Sequence, residues 1–160
     1  MKDRTPPRPL VPLVDFYNAV SIKHCVTAGA FDLADLEGRG APLELRMTRQ
    51  GDTFRALGTS EDAAPVSLGV GELAYAQGSV VLTRQLAWRQ SVEGLVTEHT
   101  TRAVFVSEIL ADEDEGQEGA KALAQQVARD LEEGLVSMFQ AQVTATIVGG
   151  VEGKLSVDLV

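Results

Sequence analysis

Cysteine and histidine, which carry most nucleophilic and acid–base chemistry, are scarce in this chain and poorly spaced. The 160 residues contain one cysteine, Cys25, and two histidines, His24 and His99. Because neighbouring residues on a helix point about 100° apart, Cys25 and His24 cannot face each other as nucleophile and base. We interpret Cys25 as a small buried side chain beside a polar histidine. A thiol or metal-dependent hydrolase built on His24, Cys25 or His99 stays open as a third hypothesis.

The common metal and phosphate motifs are absent from the sequence. The acidic residues at 112–118 lack the order of an EF-hand calcium loop, so we interpret them as a solvated loop. A single cysteine excludes a multi-cysteine zinc site and an internal disulfide. Gly29, Gly38 and Gly40 do not have the spacing of a Walker or Rossmann phosphate loop. We therefore expect no metal and no cofactor.

Two stretches place polar side chains in otherwise apolar surroundings. Tyr17 and Asn18 lie within an apolar stretch of predicted helix, where asparagine is disfavoured because it competes for backbone hydrogen bonds. The only tryptophan, Trp88, lies close to Arg84 and Arg89. Guanidinium and indole groups can stack on bases or hold phosphates, although a core tryptophan with arginines extending past it has the same composition. Arg84, Trp88 and Arg89 are therefore candidate RNA contacts.

The spacing of apolar residues predicts a helix towards each end of the chain. Pro12 suits the first turn of a helix, and the apolar residues after it predict a helix over 13–25. A single apolar face predicts a longer helix over 117–139. Asp32 is predicted to cap a short helical turn that ends at Leu36, because its carboxylate can accept from free backbone amides.

The remaining segments show the alternation that is typical of strands. Residues 43–57 predict a hairpin around a turn, residues 58–69 predict a loop, and a final run of residues predicts an edge strand. The order of helices and strands lacks the βαβα rhythm of a parallel doubly wound sheet and favours an α+β fold. The further predicted strands are 72–76, 79–86, 103–110, 142–148 and, at the edge, 154–159.

Composition and charge limit the classes of function. The net charge is −9, which argues against a general nucleic-acid binder, although residues 111–133 hold eight acids against two bases and leave the rest closer to neutral. An RNA-facing surface elsewhere is therefore weakened and not excluded. Neither a membrane span nor a signal peptide is predicted, so we expect a cytoplasmic protein without a membrane partner. The expected organisation is a Pro-rich arm over 1–11 and a single domain over 12–160.

The order of several short segments resembles a known family. Residues 12–21 (PLVDFYNAVS), 29–33 (GAFDL) and 36–38 (LEG) resemble the B3/B4 domain of the phenylalanyl-tRNA synthetase β subunit. Residues 88–91 (WRQS), followed by Thr97, Glu98 and Thr101, are similar to free-standing members of that family. The resemblance covers residues 10–110. It implies a three-layer α+β domain, with a mixed β-sandwich of unusual topology flanked by helices.

The resemblance also implies an activity and a partner. It implies an aminoacyl-tRNA deacylase that acts in trans on a mischarged tRNA, with tRNA as partner. Catalytic residues stay unassigned, because ester hydrolysis assisted by the terminal ribose hydroxyl needs no side-chain triad. A non-catalytic module that binds tRNA, a nucleotide or an amino acid is the alternative. The sequence does not indicate the oligomeric state.

Four positions of a substrate pocket follow from the same resemblance. Asn18 matches the helix asparagine beside the editing pocket, and Tyr17 stands where many synthetases have threonine. Gly29 stands at the histidine of the family's HAFD motif. The carboxylate that selects a hydroxyl falls at Ser107 or Glu108, and we choose Glu108 because the role requires an acceptor. Trp88 and Arg89 are expected at the rim of this pocket.

Overall fold

The computed structural model of the chain describes residues 11–60, 62–86, 89–110, 116–148 and 155–157. Residues 1–10 of the predicted Pro-rich arm, Trp88 and the acidic residues 112–115 lie outside this part. Both long predicted helices are confirmed, as is the short turn after Asp32. The helices are α1 Pro12–His24, α2 Leu33–Glu37 and α3 Gly116–Phe139.

Local chemistry explains where the first two helices begin and end. Pro12 occupies the first turn of α1, where the missing N–H has no helical partner to lose. The helix ends at Cys25, whose φ of 54° is left-handed and whose backbone N–H donates to the Ser21 carbonyl. Asp32 caps α2, since its carboxylate accepts from the backbone N–H of Ala34 at 2.8 Å.

The strands form two separate sheets. A small antiparallel sheet pairs β1 (Gly29–Asp32) with β8 (Ala103–Val106). The larger sheet is mixed, because β3 and β6 run parallel whereas the other pairs are antiparallel. Its spatial order is β4 (Val66–Ser67), β3 (Thr53–Phe54), β6 (Val80–Arg84), β5 (Leu73–Gln77), β2 (Leu43–Met47) and β9 (Leu155–Val157), with β7 (Arg89–Gln90) paired to β6. The fold is therefore α+β, as predicted.

Two strand predictions are wrong. Residues 43–57 are not a hairpin, because β2 pairs with β5 and β9 whereas β3 pairs with β4 and β6. The reason is that the backbone N–H of Thr53 donates to the Ser79 carbonyl, which directs the chain to β6 after the turn. Residues 142–148 are not a strand, since the edge of the sheet beside β2 is taken by β9.

The other strand predictions are confirmed with different limits. The hairpin of β5 and β6 and the edge strand β9 are shorter than predicted. The predicted strand 103–110 ends at Val106, and the predicted loop 58–69 contains the two-residue strand β4. Extended backbone without a hydrogen-bonded neighbour is not a strand, so sequence alone overestimates these lengths.

The two sheets and the two long helices pack as three layers, because alternate side chains of each strand point to opposite faces of its sheet. The face of the large sheet that carries Leu43 and Tyr75, here called the inner face, packs on Phe31 and Leu36 of the β1–α2 segment. The small sheet packs its other face on Tyr17 of α1 and Leu131 of α3. The layers are thus the large sheet, the small sheet with α2, and the helices α1 and α3. The opposite face of the large sheet, here called the outer face, carries Ala74, Ala76, Val81 and Phe54.

A β-bulge changes which side chains reach the outer face. Tyr75 pairs with Thr83 but Ala76 pairs with Val81, so Leu82 is an extra residue in β6. Leu82 packs into the core on the inner face, and the alternation restarts after it. The bulge therefore sends Arg84 to the outer face.

Candidate functional site

A carboxylate with two hydroxyl donors lies where the small sheet meets the large one. The Tyr75 hydroxyl, in the middle of β5, donates to Oε1 of Glu108, and the Thr27 hydroxyl donates to Oε2. The backbone N–H of Glu108 donates in turn to the Thr27 Oγ1 at 3.1 Å, and the Ser107 hydroxyl donates to the Thr27 carbonyl at 2.7 Å. We call Thr27, Tyr75 and Glu108 the inter-sheet cluster.

The positions of the cluster follow from strand alternation. Thr27 and Gly29 lie two residues apart, as do Val106 and Glu108, and Gly29 is paired with Val106 across the small sheet. Cross-strand partners project from the same face. Val106 packs on the inner-face core, so this face of the small sheet is turned towards Tyr75.

Burial keeps the tyrosine of the cluster protonated. Tyr75 is 7% exposed. Burial raises the pKa of the Tyr75 hydroxyl, and the negative charge and the hydrogen bond of Glu108 raise this pKa further. At neutral pH the hydroxyl is therefore a donor to the carboxylate, and such charge-assisted hydrogen bonds are stronger than neutral ones.

Gly29 leaves space next to the cluster. A Cβ placed at this position would meet only Val106 Cγ2, at the ordinary contact distance of 3.7 Å. The backbone can therefore carry a side chain here, and glycine makes the inter-sheet face wider than a histidine would. Gly29 and Glu108, two of the four predicted pocket residues, thus lie on the same face.

Tyr17 lies on the other side of the small sheet. Its ring packs edge-to-face on Phe105, with the ring centroids 6.3 Å apart. Burial raises the pKa of the Tyr17 hydroxyl. Asn18 is half-buried, is the next residue of α1, and forms no side-chain hydrogen bond with the residues that the structure describes. The small sheet therefore separates Tyr17 from Glu108.

The candidate RNA contacts lie on the outer face. Arg84 and Arg89 are direct partners across β6 and β7, and the Arg84 guanidinium lies 5.8 Å from the centroid of the Phe54 ring. The expectation that Arg89 lies at the rim of the Glu108 pocket is wrong, because the thickness of the large sheet separates them. The bulge at Leu82 turns Arg84 and its cross-strand partner Arg89 to the outer face, and no feature of the sequence predicts this bulge. Trp88 lies outside the described residues.

The cysteine and the histidines lie apart from the cluster. His24 Nε2 lies 2.6 Å from Asp130 on α3, which ties α1 to α3. Lys23 and His24 both lower the pKa of Asp130. His99 is exposed beside Glu98. The interpretation of Cys25 as a buried side chain is wrong, because Cys25 is exposed where α1 ends in a left-handed residue. Across the described ranges, no group of three or more histidine, cysteine or acidic residues could hold a metal ion.

Two members of the cluster were missed by sequence reasoning. Tyr75 is the only aromatic residue in a strand of small residues, LAYAQ, and that isolation is a weak signal. Thr27 carries no signal, because its role depends on which strand follows it.

Two concave sites occur elsewhere, of 570 Å³ beside Gly69 and Gln85 and of 230 Å³ beside Arg89. Neither of these two is lined by Gly29 or Glu108.

Comparison with known proteins identifies the family of this fold. The family described as the B3/4 domain matches residues 3–133, and the chain belongs to it. No curated protein and no solved structure matches the chain. Within the part of the chain that the structure describes, the helices lack the length and apolar character of a membrane span.

Proposed function

We propose that this B3/4 domain hydrolyses the ester of a mischarged aminoacyl-tRNA in trans. Membership of the family supports a context related to tRNA synthetases. The single observation that carries the proposal is the inter-sheet cluster, in which Glu108 is held by two hydroxyl donors on the face that Gly29 leaves open.

The residues of the cluster would select and position the amino acid. Glu108 offers an acceptor fixed by Tyr75 and Thr27, which suits a hydroxyl or an ammonium group on the substrate. Gly29 supplies room for the side chain of the amino acid. Ester hydrolysis gains most of its rate from positioning the water and stabilising the developing oxyanion, so the cluster would hold the amino acid in place while the terminal ribose hydroxyl assists the reaction.

A non-catalytic module that binds tRNA, a nucleotide or an amino acid is the second candidate. The observation that favours it is that both oxygens of Glu108 already have donors from this chain. A carboxylate in that state is a poor general base, because proton transfer requires direct contact with the attacking water.

A deacylation panel separates the two candidates. We would incubate the purified full chain with mischarged tRNAs that carry different amino acids and measure release of the amino acid. Wild type is expected to deacylate at least one of them above a buffer control. Glu108→Gln is expected to reduce that rate about tenfold, the size of one charge-assisted hydrogen bond.

The matched control is Glu98→Gln, which removes one carboxylate from a side chain that is 80% exposed. This variant should deacylate like wild type. No deacylation by wild type across the whole panel, together with measurable binding of the same tRNAs, would replace the deacylase with the module.

A further inference from the structure

The longest stretch of the sequence without a charged residue covers residues 134–151. It contains the end of α3 and the residues that follow this helix. The whole chain carries 23 acidic and 14 basic residues, so an uncharged stretch of this length is unusual for its composition. A second copy, which has the same net charge of −9, therefore meets the least local repulsion along this stretch.

The described part of the uncharged stretch exposes apolar side chains. Four large apolar side chains within residues 136–148 are between 46% and 66% exposed: Val136, Met138, Ile147 and Val148. A single exposed apolar side chain is ordinary, whereas several in one uncharged region are typical of a surface that contacts another protein.

The residues after α3 have the composition of a strand but no partner within the chain. Five of the seven residues of 142–148 (QVTATIV) are β-branched. They form no hydrogen bond with any residue that the structure describes, and they do not cover the edge of the large sheet at β9. Exposed segments of this kind usually carry a charge or a proline that prevents pairing with another chain, and this one carries neither.

We propose that residues 142–148 pair antiparallel with the same residues of a second copy, about a twofold axis at Ala145. Both copies then use the same surface, as a twofold dimer requires. Threonine pairs and packed β-branched side chains stabilise neighbouring strands. The register puts residues of similar character opposite each other: Ala145 opposite Ala145, Val143 opposite Ile147, and Thr144 opposite Thr146.

The size of the surface predicts a weak dimer. A standard interface takes about 20–30 residues from each partner, and residues 136–148 are about half that number. We therefore expect a dimer that dissociates at micromolar concentrations. Both copies are acidic and the contact contains no ion pair, so the dimer should become tighter as salt screens the repulsion between the copies.

This dimer does not depend on the proposed deacylase activity, because neither Gly29 nor Glu108 belongs to the uncharged stretch. A variant that breaks the dimer is expected to deacylate like wild type. The competing arrangement is pairing of residues 142–148 with β9 of the same chain, which would leave the protein monomeric.

Sedimentation velocity of the full chain, at about 1 to 200 µM, measures the association. Wild type is expected to pass from monomer to dimer in this range and to associate more tightly as the ionic strength rises from about 0.05 to 0.5 M. Ala145→Lys places two ammonium groups opposite each other at the twofold axis, and it should weaken association about tenfold.

The matched control is Ala122→Lys, which adds the same charge at an exposed position of α3 and should associate like wild type. Ala145 is also exposed in the single chain, so neither substitution should disturb the fold. Circular dichroism and thermal unfolding of both variants check this.

A disulfide between copies tests the register. Residues directly opposite each other on antiparallel strands have Cα atoms about 4.5–5.5 Å apart, which a disulfide can bridge. Cys25→Ala removes the only native cysteine and serves as the background. In this background Ala145→Cys should form a disulfide-linked dimer under mild oxidation, whereas Ala122→Cys should not.

Several results would overturn the proposal. A monomer at every concentration would do so, and pairing with β9 within one chain would give that result. A continuing series of larger species would also overturn it, because the proposed contact joins two copies. The same holds for a dimer that weakens as salt rises, that Ala145→Lys leaves unchanged, or that Ala145→Cys does not cross-link.

Discussion

The two faces of the large sheet use the same strands for opposite electrostatic purposes. On the inner face, Tyr75 projects into the core and donates to a carboxylate, which places a negative group between the sheets. On the outer face, Arg46 of β2 and Arg84 of β6, which lie on either side of β5, place positive groups at the turn of Asp52 and over Phe54. Since alternate residues of a strand point to opposite faces, a few strands can position groups of opposite charge that do not mix.

The outer face also contains a buried ion pair, Arg46 and Asp52, that stabilises the fold and is not open to a ligand. Arg46 binds Asp52 through two hydrogen bonds, at 2.6 Å and 3.0 Å, and binds Glu44 at 3.0 Å. The side chains of Arg46 and Asp52 are 3% and 4% exposed. These three charged side chains are buried and paired with one another, whereas the Arg89 side chain is exposed.

The largest expected effect is therefore on stability. Arg46→Ala should lower the free energy of unfolding by about 3–5 kcal/mol, because it removes the guanidinium that bridges two buried carboxylates, Glu44 and Asp52. Urea unfolding monitored by circular dichroism measures this. Arg49→Ala, three residues along the chain with a side chain that is 59% exposed, is the control and should change little. A loss below about 1 kcal/mol for Arg46→Ala would show that this pair is not a structural clamp.

The second prediction concerns the inner face. Tyr75→Phe should lower the free energy of unfolding by about 1–3 kcal/mol, because one oxygen of Glu108 loses its donor. Tyr17→Phe is the matched control, since Tyr17 is also buried but its hydroxyl has no hydrogen bond within the described residues. Equal losses for both variants would mean that the Tyr75–Glu108 hydrogen bond contributes nothing beyond packing.

The smallest effect is a pH dependence on the outer face. The hydrogen bond from Arg84 lowers the pKa of the Glu72 carboxyl below its ordinary value of 4.5. A carboxyl whose pKa is lower in the folded state stabilises the fold above pH 4.5 and loses that contribution as the pH falls. The difference in stability between wild type and Glu72→Gln should therefore be largest at neutral pH. Urea unfolding across the acid range measures it, and a difference that grows on acidification would contradict the assignment.

Much of the fold could be predicted because it is encoded locally. The helices α1 and α3 follow from apolar periodicity, and the cap at Asp32 follows from the chemistry of one side chain. The predicted hairpin at 43–57 is wrong because the actual pairing is not local. The chain after Asp52 pairs with β6, a strand that comes much later in the sequence. Alternation predicts a strand but does not name its partner.

The candidate site was predictable in part for the same reason. Gly29 and Glu108 were chosen through resemblance, and the pairing of β1 with β8 places them on one face. Thr27 and Tyr75 became visible only when two sheets were packed together. The position of Arg84 depends on one extra residue in β6, and a bulge of that kind has no signature in this sequence.

The central claim is the proposal that the inner face of the large sheet holds the amino acid of a mischarged aminoacyl-tRNA beside Glu108. The most direct test is a crystal structure of the full chain with a non-hydrolysable aminoacyl-adenosine, an analogue of the charged 3′ end of tRNA. The account predicts the amino-acid moiety between the sheets, within hydrogen-bonding distance of Glu108 and beside Gly29. An analogue bound only among Arg55, Arg84 and Arg89, with the inter-sheet face closed around Tyr75, would contradict it.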